Sequence, residues 1–589
     1  MDAEVSLRFS GEFFVLTKLQ IVNFKRFTKT EIELGNPVVF IGPNNSGKTT
    51  ALQALALWNI GLQRWMEKRG STAPGKRPGV TINRRDLTAV PVPEANLLWR
   101  DLGVREIEKE NGKPHTQNIR IDICVSGVTN DQQWECGFEF DYANKESFYC
   151  RPLRLGEDKD AGRMPVPDEA LNAKVAYLPP MSGLSDREFR RDEGEINFLI
   201  GQGKTAEVLR NLALLVHQQH PGEWNSIKAQ IKKLFGDELD DPTYISERGE
   251  ISLSYRNRSG DQLDLSSSGR GLQQTLLILA YMIVHKGSVL LLDEPDAHLE
   301  ILRQRENYQI ITEIARTHSS QIIAASHSEV LLNEAADRDI VIAFVGTPHR
   351  IDDRGRQVLK ALKEIGFEHY YQAELRGWVL YVEGATDLAI LRAFAAKLEH
   401  PSVISLSGPF VHYVFNQPNK ARDHFYGIRE AKNDLVGFTL VDRIDSPLQD
   451  RPELVEKMWS RREIENYLYQ PETLIEYALD SASEVGELFQ PTERERRRNA
   501  MEASINDLVP PVALRNRDDP WWHNVKASDE FLDRLFASFF ERLKLPNLMR
   551  KTDYHTLARY VQREHIAQEV EVILDAISEV ASRAKPRID

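Results

Sequence analysis

Short apolar runs punctuate the chain, and most of them end at acidic or glycine-containing segments. Runs of this kind lie at positions 38–41, 289–292, 322–325, 378–382 and 437–441. Apolar runs of roughly 4–8 residues bounded by turn-forming residues indicate strands buried on both faces, as in parallel sheets covered by helices. A longer apolar run at 272–284 has the length of a buried helix. The pattern therefore predicts an α/β protein.

A different pattern fills the long interval between the first two of these runs. Residues 119–123 and 136–140 alternate in the manner of half-buried strands, whereas apolar residues within about 195–234 recur at helical spacing. The interval is far longer than one strand–helix–strand crossover requires. We therefore expect a sizeable insertion at about 60–260 whose later part is helical.

The first apolar run ends in a glycine-rich loop with the spacing of a phosphate-binding loop. Two glycines enclose four residues and are followed by Lys48 and Thr49. Backbone N–H groups of such a loop cradle phosphates, the lysine reaches the β and γ phosphates, and the hydroxyl binds Mg²⁺. The sequence therefore predicts an ATP–Mg²⁺ site whose residues are Gly42, Asn44, Asn45, Ser46, Gly47, Lys48, Thr49 and Thr50.

The second half of this nucleotide site lies far downstream. The run at 289–292 leads into Asp293 and Glu294, of which the first is expected to hold Mg²⁺ and the second to orient the attacking water. His327 follows the strand predicted at 321–325 and is a candidate contact for the γ-phosphate. The small-residue loop at 265–271 precedes a helix and is a further anion site, for which the nucleotide of another protomer is the expected ligand.

This ordered set resembles the ABC-type ATPase heads of the RecF, SMC and Rad50 group. The resemblance implies a Walker B pair at Asp293 and Glu294 and a switch histidine at His327. The segment 19–27 is similar to the first strand and turn of that group. The signature loop departs from the usual Leu-Ser-Gly-Gly-Gln, and its expected residues are Ser268, preferred over Ser267, with Gly269 and Gly271.

A second group of acids follows the later apolar runs. Glu383 ends the run at 378–382, Asp387 lies four residues on, and Asp442 with Asp445 follows the run at 437–441. Carboxylates gathered at the carboxyl ends of strands form a hard oxygen site suited to Mg²⁺ or Mn²⁺. An ion held there can activate water against a phosphodiester. The alternative is a set of solvated acids in an acid-rich chain.

This half resembles the Toprim domain of topoisomerases, primases and several nucleases. A Toprim domain after an ABC head is the arrangement of the OLD (overcoming lysogenization defect) family, which includes the nuclease subunit of the Gabija antiphage system. The resemblance extends to 461–468 and 551–555. It implies that Glu463 and Glu465, on one face of an extended segment, join the metal site, and that Lys551 neutralises charge on the scissile phosphate.

One departure leaves the metal ligands open. A Toprim Asp-x-Asp places two acids on one face, but Ile444 holds the second position here and the next acid is Asp445. Either a bulge or turn brings Asp445 back, or the metal has one ligand fewer. Which of Asp445, Glu463 and Glu465 completes the site stays open at this point.

Composition and charge indicate the cellular location of the protein and how it can bind nucleic acid. No apolar stretch reaches the roughly 18 residues that span a bilayer, and the N-terminus lacks a secretory signal, so a cytoplasmic protein without membrane association is expected. Three cysteines without metal spacing are expected to be free thiols. A net charge of −13 requires local basic surface for nucleic acid, and we favour a selective nuclease over a DNA-coating protein. Arginines at 187–191, 461–462 and 494–498 are candidates.

These observations combine into one expected architecture. It is α/β: an ABC-type P-loop ATPase head over 1–346, a linker at 347–375, a Toprim domain at 376–475 and a mainly helical C-terminal region at 476–589. We expect an ATP-regulated, metal-dependent nuclease of the OLD type, a homodimer or higher homo-oligomer acting on DNA in antiphage defence. A partner encoded in the same defence operon is possible within this reading.

Two alternatives stay open. The same two sites occur in a fused defence protein that cleaves RNA such as tRNA, similar to the phage anti-restriction-induced system. A RecF-like DNA-maintenance ATPase with a non-catalytic Toprim module is the other. Intact Glu383, Asp387 and Asp442 argue against the second alternative.

Overall fold

The structure is a computed structural model of the 589-residue chain. It describes residues 14–70, 79–110, 113–130, 132–156, 162–335, 338–351, 365–449, 451–484 and 490–587. Contacts divide the chain into two compact units, residues 1–359 and 360–589. The division falls inside the segment 347–375 that the sequence predicts as a linker, of which 352–364 lie outside the described residues.

The first unit is built on a six-stranded sheet with the phosphate-loop strand near its middle. Its order is Val175–Leu178, Val289–Asp293, Gln321–Ser326, Val38–Ile41, Ile340–Ala343 and His349–Arg350. The first five strands are parallel, and only the last pairs antiparallel. The carboxyl ends of the strands that carry the predicted nucleotide residues therefore share one edge.

A second six-stranded sheet in the same unit is wholly antiparallel. Its order is Phe27–Glu33, Phe14–Phe24, Arg120–Thr129, Gln132–Asn144, Ser147–Pro152 and Val80–Asn83. The helix Lys48–Arg69 packs into a core shared with this sheet and with the parallel one. A hairpin joins Arg105–Glu110 to Lys113–Asn118. The alternation expected at 119–123 and 136–140 belongs to the two central strands.

Helices cover the opposite side of the parallel sheet through a second core. They are Glu193–Gly201, Leu209–Gln219, Pro221–Phe235 and Arg270–Val284, with Ile301–Thr317 and Glu329–Ala335 completing the unit. Short strands lie at Glu238–Leu239, Thr243–Ile245, Glu250–Ser252, Ser254–Arg256 and Gln262–Asp264. Because Val175–Leu178 belongs to the parallel sheet, the interval expected as an insertion also supplies a core strand.

The second unit has a four-stranded, fully parallel sheet. Its order is Phe410–Tyr413, Trp378–Val382, Val436–Val441 and Leu454–Met458. A small core on one face holds the helices Phe367–Arg376 and Pro418–Arg429. The other face packs on Ala385–Leu398 and on the C-terminal helices. Residues from before and after position 476 share this larger core.

The remaining elements of the second unit are mainly helical. They are Ser402–Leu406, Ile464–Tyr467, Pro471–Asp480, Ser481–Glu484, Gln490–Leu508, Pro511–Arg515, Trp521–Asn524, Ala527–Leu532, Asp533–Arg542, Lys551–Arg559, Arg563–His565 and Gln568–Ser582. All three cysteines are free and buried. Among the helices described, none has the length and apolarity to cross a membrane.

Candidate active sites

The phosphate loop joins the strand Val38–Ile41 to the helix Lys48–Arg69. The Lys48 ammonium donates to the carbonyl oxygens of Gly42 at 2.7 Å and Pro43 at 2.8 Å, which folds the side chain back over the loop. Burial lowers the pKa of Lys48, an effect that Glu294 and Asp293 oppose. The first turn of the helix contains no acid, so its positive end is left for an anionic ligand.

Two glycines of this loop are required by geometry. Gly47 has φ of 105°, a left-handed conformation that a side chain makes costly. At Gly42 an added Cβ would lie 2.8 Å from the carbonyl oxygen of Phe344, which is a backbone atom and cannot move aside easily. The loop therefore needs its two glycines before any ligand is considered.

Asp293 is held at the end of its strand by two hydroxyl groups. Thr49 Oγ1 donates to Oδ1 at 3.1 Å and Tyr177 OH donates to Oδ2 at 3.2 Å. Burial raises the pKa of Asp293 to about 6, and the two hydrogen bonds act against that rise. The phosphate loop and the strand Val289–Asp293 are thus joined through the pair of side chains expected to hold Mg²⁺.

Glu294 and His327 lie together at the same sheet edge. His327 Nδ1 is 3.6 Å from Glu294 Oε1, and both side chains retain solvent exposure. Glu294 has φ of 50°, so its backbone is held in the left-handed region directly after the strand. Strain of this kind is concentrated at functional sites. The structure thus brings Glu294 and His327 beside Asp293, as expected of water-orienting and phosphate-contacting groups.

The loop expected to act as a signature motif has its own local order. Ser268 Oγ donates to the carbonyl oxygen of Leu265 at 2.7 Å. Gly269 is the N-cap of the helix Arg270–Val284, and nothing lies within 4 Å of a Cβ added there. Gly271 packs near Leu299. The helix start at Gly269 is open space, as an anion site requires.

The acidic residues of the second unit lie at the carboxyl ends of adjacent parallel strands. Glu383 follows Trp378–Val382 and Asp442 follows Val436–Val441. The Asp387 carboxylate, in the first turn of the next helix, accepts from the Glu383 backbone N–H at 3.1 Å and from Thr386 Oγ1 at 3.3 Å. The Asp442 N–H donates to Asn416 Oδ1 at 2.8 Å. Pairing of the two strands therefore places these acids at one edge.

Burial and mutual repulsion alter the titration of this group. Burial, a hydrogen bond with Glu383 and the charges of neighbouring acids raise the pKa of Asp442 to about 10. Burial followed by the charge of Glu463 raises the pKa of Glu465 to about 8, and burial followed by Glu383 raises that of Asp387 to about 6. Each of these three pKa values is raised in part by the charge of another acid of the group. We call Glu383, Asp387, Asp442 and Glu465 the acidic cluster.

The expectation that Glu463 and Glu465 share one face of an extended segment is wrong. Glu463 is the N-cap of a short 3₁₀ helix, Ile464–Tyr467, which contains Glu465. The Glu463 carboxylate accepts from the Ser528 N–H, and the charges of Glu463 and then Asp387 act on Glu465. A short helix thus replaces the expected extended segment, and Glu465 lies close enough to Asp387 and Asp442 for their charges to interact.

Asp445 lies outside this arrangement. It is exposed in the bend after the strand Val436–Val441. The preceding Arg443 turns away, because its guanidinium donates to the carbonyl oxygen of Ser460 at 3.1 Å and to Asn524 Oδ1 at 2.7 Å. Of the three acids left open by the sequence, Glu465 is the one that the fold turns toward Asp387 and Asp442.

Lys551 lies beside the acidic cluster. Its ammonium donates to Asp529 Oδ1 at 2.8 Å. Burial acts to lower the pKa of Lys551, but the hydrogen bond with Asp529 and the charges of Glu465 and Glu463 raise it overall. The charges of Glu465 and Glu463 therefore stabilise the protonated form of Lys551, although the carboxylate that Lys551 hydrogen-bonds is that of Asp529.

Several arginines of the candidate basic surfaces pair with acids. Arg191 pairs with Glu195 and Glu207, and Arg496 and Arg497 both pair with Glu493. The last two pairs join residues three and four positions apart on one helix face. Trp522 is buried and donates to the carbonyl oxygen of Ala513 at 3.0 Å, which makes it a packing group.

Sequence reasoning missed three residues that act on the candidate sites. Tyr177 positions Asp293, Asn416 holds the backbone beside Asp442, and Arg26 donates to the carbonyl oxygen of Asn45 within the phosphate loop. Arg26 lies in the segment 19–27 that resembles the ATPase heads, which is a signal that could have found it. Tyr177 and Asn416 carry no such signal, because only strand pairing and loop path bring them to the acids.

The acidic cluster fits a divalent cation by its donor set. Burial and mutual repulsion raise the pKa values of these carboxylates, and oxygen ligands suit Mg²⁺ or Mn²⁺. Among the residues described, no three of these acids have ligand atoms all within 4.8 Å of one another, since repulsion favours separation. Binding of a divalent cation would therefore bring the carboxylates of these neighbouring acids closer together.

Two family models match the first unit. An AAA ATPase domain matches residues 15–60, and an AAA domain described for the AbiEii toxin of a Type IV TA system matches residues 169–333. The matches cover the phosphate-loop and Walker B segments on either side of the antiparallel strands. The prediction of an ATP-binding ATPase is confirmed.

One curated relative and several solved structures are similar to the chain. The OLD nuclease of Thermus scotoductus is 22% identical in an alignment of 376 residues that covers 56% of this chain and 64% of the relative. The chain thus spans somewhat less than two thirds of that relative's length. The SMC head domain from Thermotoga maritima is 15% identical, covering 57% of this chain and 98% of its own, with a TM-score of 0.30. An Smc head with coiled coil and joint from Pyrococcus yayanosii is 11% identical, covering 59% and 100%, with a TM-score of 0.34.

Proposed function

We propose that this chain, an ATPase of the OLD family, is an ATP-regulated, divalent-metal-dependent nuclease that acts on DNA. The observation that carries the proposal is the acidic cluster at the carboxyl ends of two paired parallel strands. Open α/β sheets bind ligands at that edge, and groups with strongly perturbed pKa values mark candidate functional sites. The mutual repulsion of these acids works against folding.

Each residue of the cluster has a role in this proposal. Glu383, Asp387, Asp442 and Glu465 would hold one or two Mg²⁺ or Mn²⁺ ions. Such ions polarise a phosphodiester and lower the pKa of bound water. Lys551 neutralises charge on the scissile phosphate from the side facing Glu465, and Asp529 holds its ammonium in place. Asp445 and Glu463 have no direct part, since one is exposed and the other caps a helix.

DNA is proposed over RNA from the resemblance of the chain to the OLD family. A chain of net charge −13 gains little from non-specific phosphate binding and needs a selective contact. The fused defence protein that cleaves tRNA remains the alternative, since the acidic cluster by itself acts on either phosphodiester. The proposed role in antiphage defence rests on the family resemblance.

The ATPase half of the proposal includes a second protomer. The open helix start at Gly269 and the nearby Ser268 would meet the nucleotide bound to the partner's phosphate loop. Ser268→Arg should then block hydrolysis while leaving ATP binding to one chain intact. Mixing it with Lys48→Ala protein should restore up to one working composite site per dimer. A monomeric mass with undiminished hydrolysis would contradict the shared site.

The cleavage site is tested with two variants and one matched control. Glu383→Gln and Asp442→Asn keep side-chain shape but remove charge, so cleavage should fall by at least about a hundredfold while ATP hydrolysis persists. Glu430→Gln alters an exposed acid of the same unit and should change neither activity. The measurement incubates plasmid, linear DNA and total RNA with Mg²⁺ or Mn²⁺, with and without ATP.

The outcomes of this experiment separate the three hypotheses. Loss of DNA cleavage in both variants supports the proposed nuclease, and loss of RNA cleavage alone supports the tRNA-cleaving alternative. Parent protein that hydrolyses ATP but cuts neither substrate would favour the RecF-like ATPase. Undiminished cleavage by Glu383→Gln would remove the acidic cluster from the mechanism.

A further inference from the structure

Three histidines of the second unit meet on the face of the sheet covered by its smaller core. His369 lies on the helix Phe367–Arg376, His412 on the edge strand Phe410–Tyr413, and His424 on the helix Pro418–Arg429. One ring nitrogen from each lies within 4.8 Å of the other two, and all three side chains are half-buried. The chain has 15 histidines in 589 residues, so three meeting from separate elements is unusual.

Their contacts orient the rings. His424 Nε2 is 2.8 Å from His369 Nδ1, and the His412 and His424 rings stack with centroids 3.9 Å apart and planes 3° apart. His424 Nδ1 is 2.9 Å from Tyr381 OH. Tyr381 is fully buried, and in the strand register it lies beside His412 of the neighbouring strand. A hydroxyl at Nδ1 is the kind of outer partner that fixes the tautomer of a metal-binding histidine and leaves Nε2 as the ligand.

We propose that His369, His412 and His424 form a binding site for one divalent transition-metal ion, with Zn²⁺ as the reference ion. Three imidazoles and a water molecule complete the tetrahedral coordination that Zn²⁺ prefers. The site lies apart from the acidic cluster in chemistry, because nitrogen ligands select zinc, copper and nickel whereas carboxylates suit magnesium and manganese. It would tie two helices to the edge strand of the sheet.

The geometry requires two adjustments. Ligand nitrogens around tetrahedral zinc are about 3.3 Å apart for Zn–N distances near 2.05 Å, so the His369 and His424 nitrogens separate by about half an ångström. His412 leaves its stack on His424 and turns about its Cβ–Cγ bond to aim a nitrogen at the ion.

The simplest competing explanation is a histidine hydrogen-bond network with no ion. That network would satisfy the polar atoms of the half-buried rings and would show no preference among metals. The two explanations differ in stoichiometry and in the spectrum of a bound ion, which makes direct metal measurements the appropriate test.

The test uses the full chain after chelator treatment. Zn²⁺ is titrated in competition with a chromophoric chelator, and Co²⁺ is added separately to record its visible absorption. The parent should bind one tight equivalent of Zn²⁺ and show the intense bands of four-coordinate Co²⁺. His369→Gln and His424→Gln should each weaken Zn²⁺ binding by at least about a hundredfold and abolish those bands, since each removes a direct ligand.

Two controls isolate the histidines. His400→Gln changes a histidine of the same unit that bonds Ser402 and Asp575 and lies outside the group, so it should bind Zn²⁺ as the parent does. Glu383→Gln should also retain the tight equivalent, because that ion is not held by the acidic cluster. Circular dichroism of the metal-free variants checks that they fold.

Tyr381→Phe keeps the inference testable if a histidine variant fails to fold. It removes only the hydroxyl beside His424 Nδ1 and should weaken Zn²⁺ binding by about tenfold. Absence of a tight equivalent in the parent would overturn the proposal. So would equal Zn²⁺ affinity in the parent and a folded His424→Gln variant.

Discussion

The two candidate sites share one backbone plan but carry opposite charge. In each, a buried parallel strand ends in a loop that starts a helix, at Gly47–Lys48 in the first unit and at Gly384–Ala385 in the second. The first helix begins with Lys48 and has no acid in its first turn, whereas the second has Asp387 there. The comparison teaches that side chains at the strand end decide whether this geometry receives an anion or a cation.

The sites also differ in how far their own contacts hold them. In the first, Lys48 is tied to loop carbonyls and Thr49 to Asp293, so opposite or complementary groups meet. In the second, acids face acids, and three of them have raised pKa values. The nucleotide site is therefore largely organised by the chain, whereas the acidic cluster needs protons or a cation to offset repulsion.

The strongest way to break the first half of this comparison is Glu294→Gln. The change keeps the shape of the side chain but removes the charge that orients water, so phosphate release should fall by about 10²–10³-fold with ATP binding retained. Glu300→Gln, at an exposed acid a few residues on, serves as the control. Hydrolysis at the parent's rate would mean that the water-orienting acid lies elsewhere.

The pH dependence of stability examines the acidic cluster. Folded pKa values of about 10 for Asp442, 8 for Glu465 and 6 for Asp387 lie above those of the unfolded chain. The folded unit thus holds protons that the unfolded chain loses from about pH 4 upward, and the free energy of unfolding should fall as pH rises to 8. The slope is at most about 1.4 kcal/mol per pH unit for each group.

Urea unfolding at pH 5 and pH 8 in chelator measures this effect. Asp442→Asn should reduce the loss of stability between the two pH values, and Mg²⁺ should offset part of it in the parent at pH 8. The same pH dependence in the parent and in Asp442→Asn would show that Asp442 is not held under repulsion.

A smaller effect is expected from Tyr177→Phe. It removes one of the two hydroxyls that hold Asp293, so phosphate release should slow by about tenfold, with a greater Mg²⁺ requirement. Tyr281→Phe is the matched control, because that hydroxyl bonds the Tyr177 carbonyl oxygen at 3.1 Å instead of Asp293. Equal rates in the two variants would assign the effect to packing.

The smallest effect is expected from Asp445→Asn. Because Asp445 is exposed, nuclease activity should stay within about twofold of the parent. Glu465→Gln, measured in the same assay, should reduce cleavage strongly. A large loss in Asp445→Asn would restore the second aspartate of the motif to the metal site and would place the loop differently when metal binds.

The sequence by itself determined the nucleotide site in nearly complete form. The phosphate loop, Asp293, Glu294 and His327 were each predicted from a local pattern, and the structure places them at one sheet edge. This was possible because each of these residues follows a strand that can be predicted from a run of apolar residues. When the residues of a site belong to short, recognisable sequence segments, the site can be predicted without knowledge of the tertiary contacts.

Only the tertiary structure decided how the second unit selects among its acids. The sequence treated 463–465 as extended, but a 3₁₀ helix begins after Glu463 because Asn466 and Ser528 satisfy its polar groups. The proximity of His369, His412 and His424 also could not be predicted from the sequence, since they lie on separate elements and match no known ligand spacing. Side chains that converge from separate elements depend on strand order and helix packing, which local patterns do not encode.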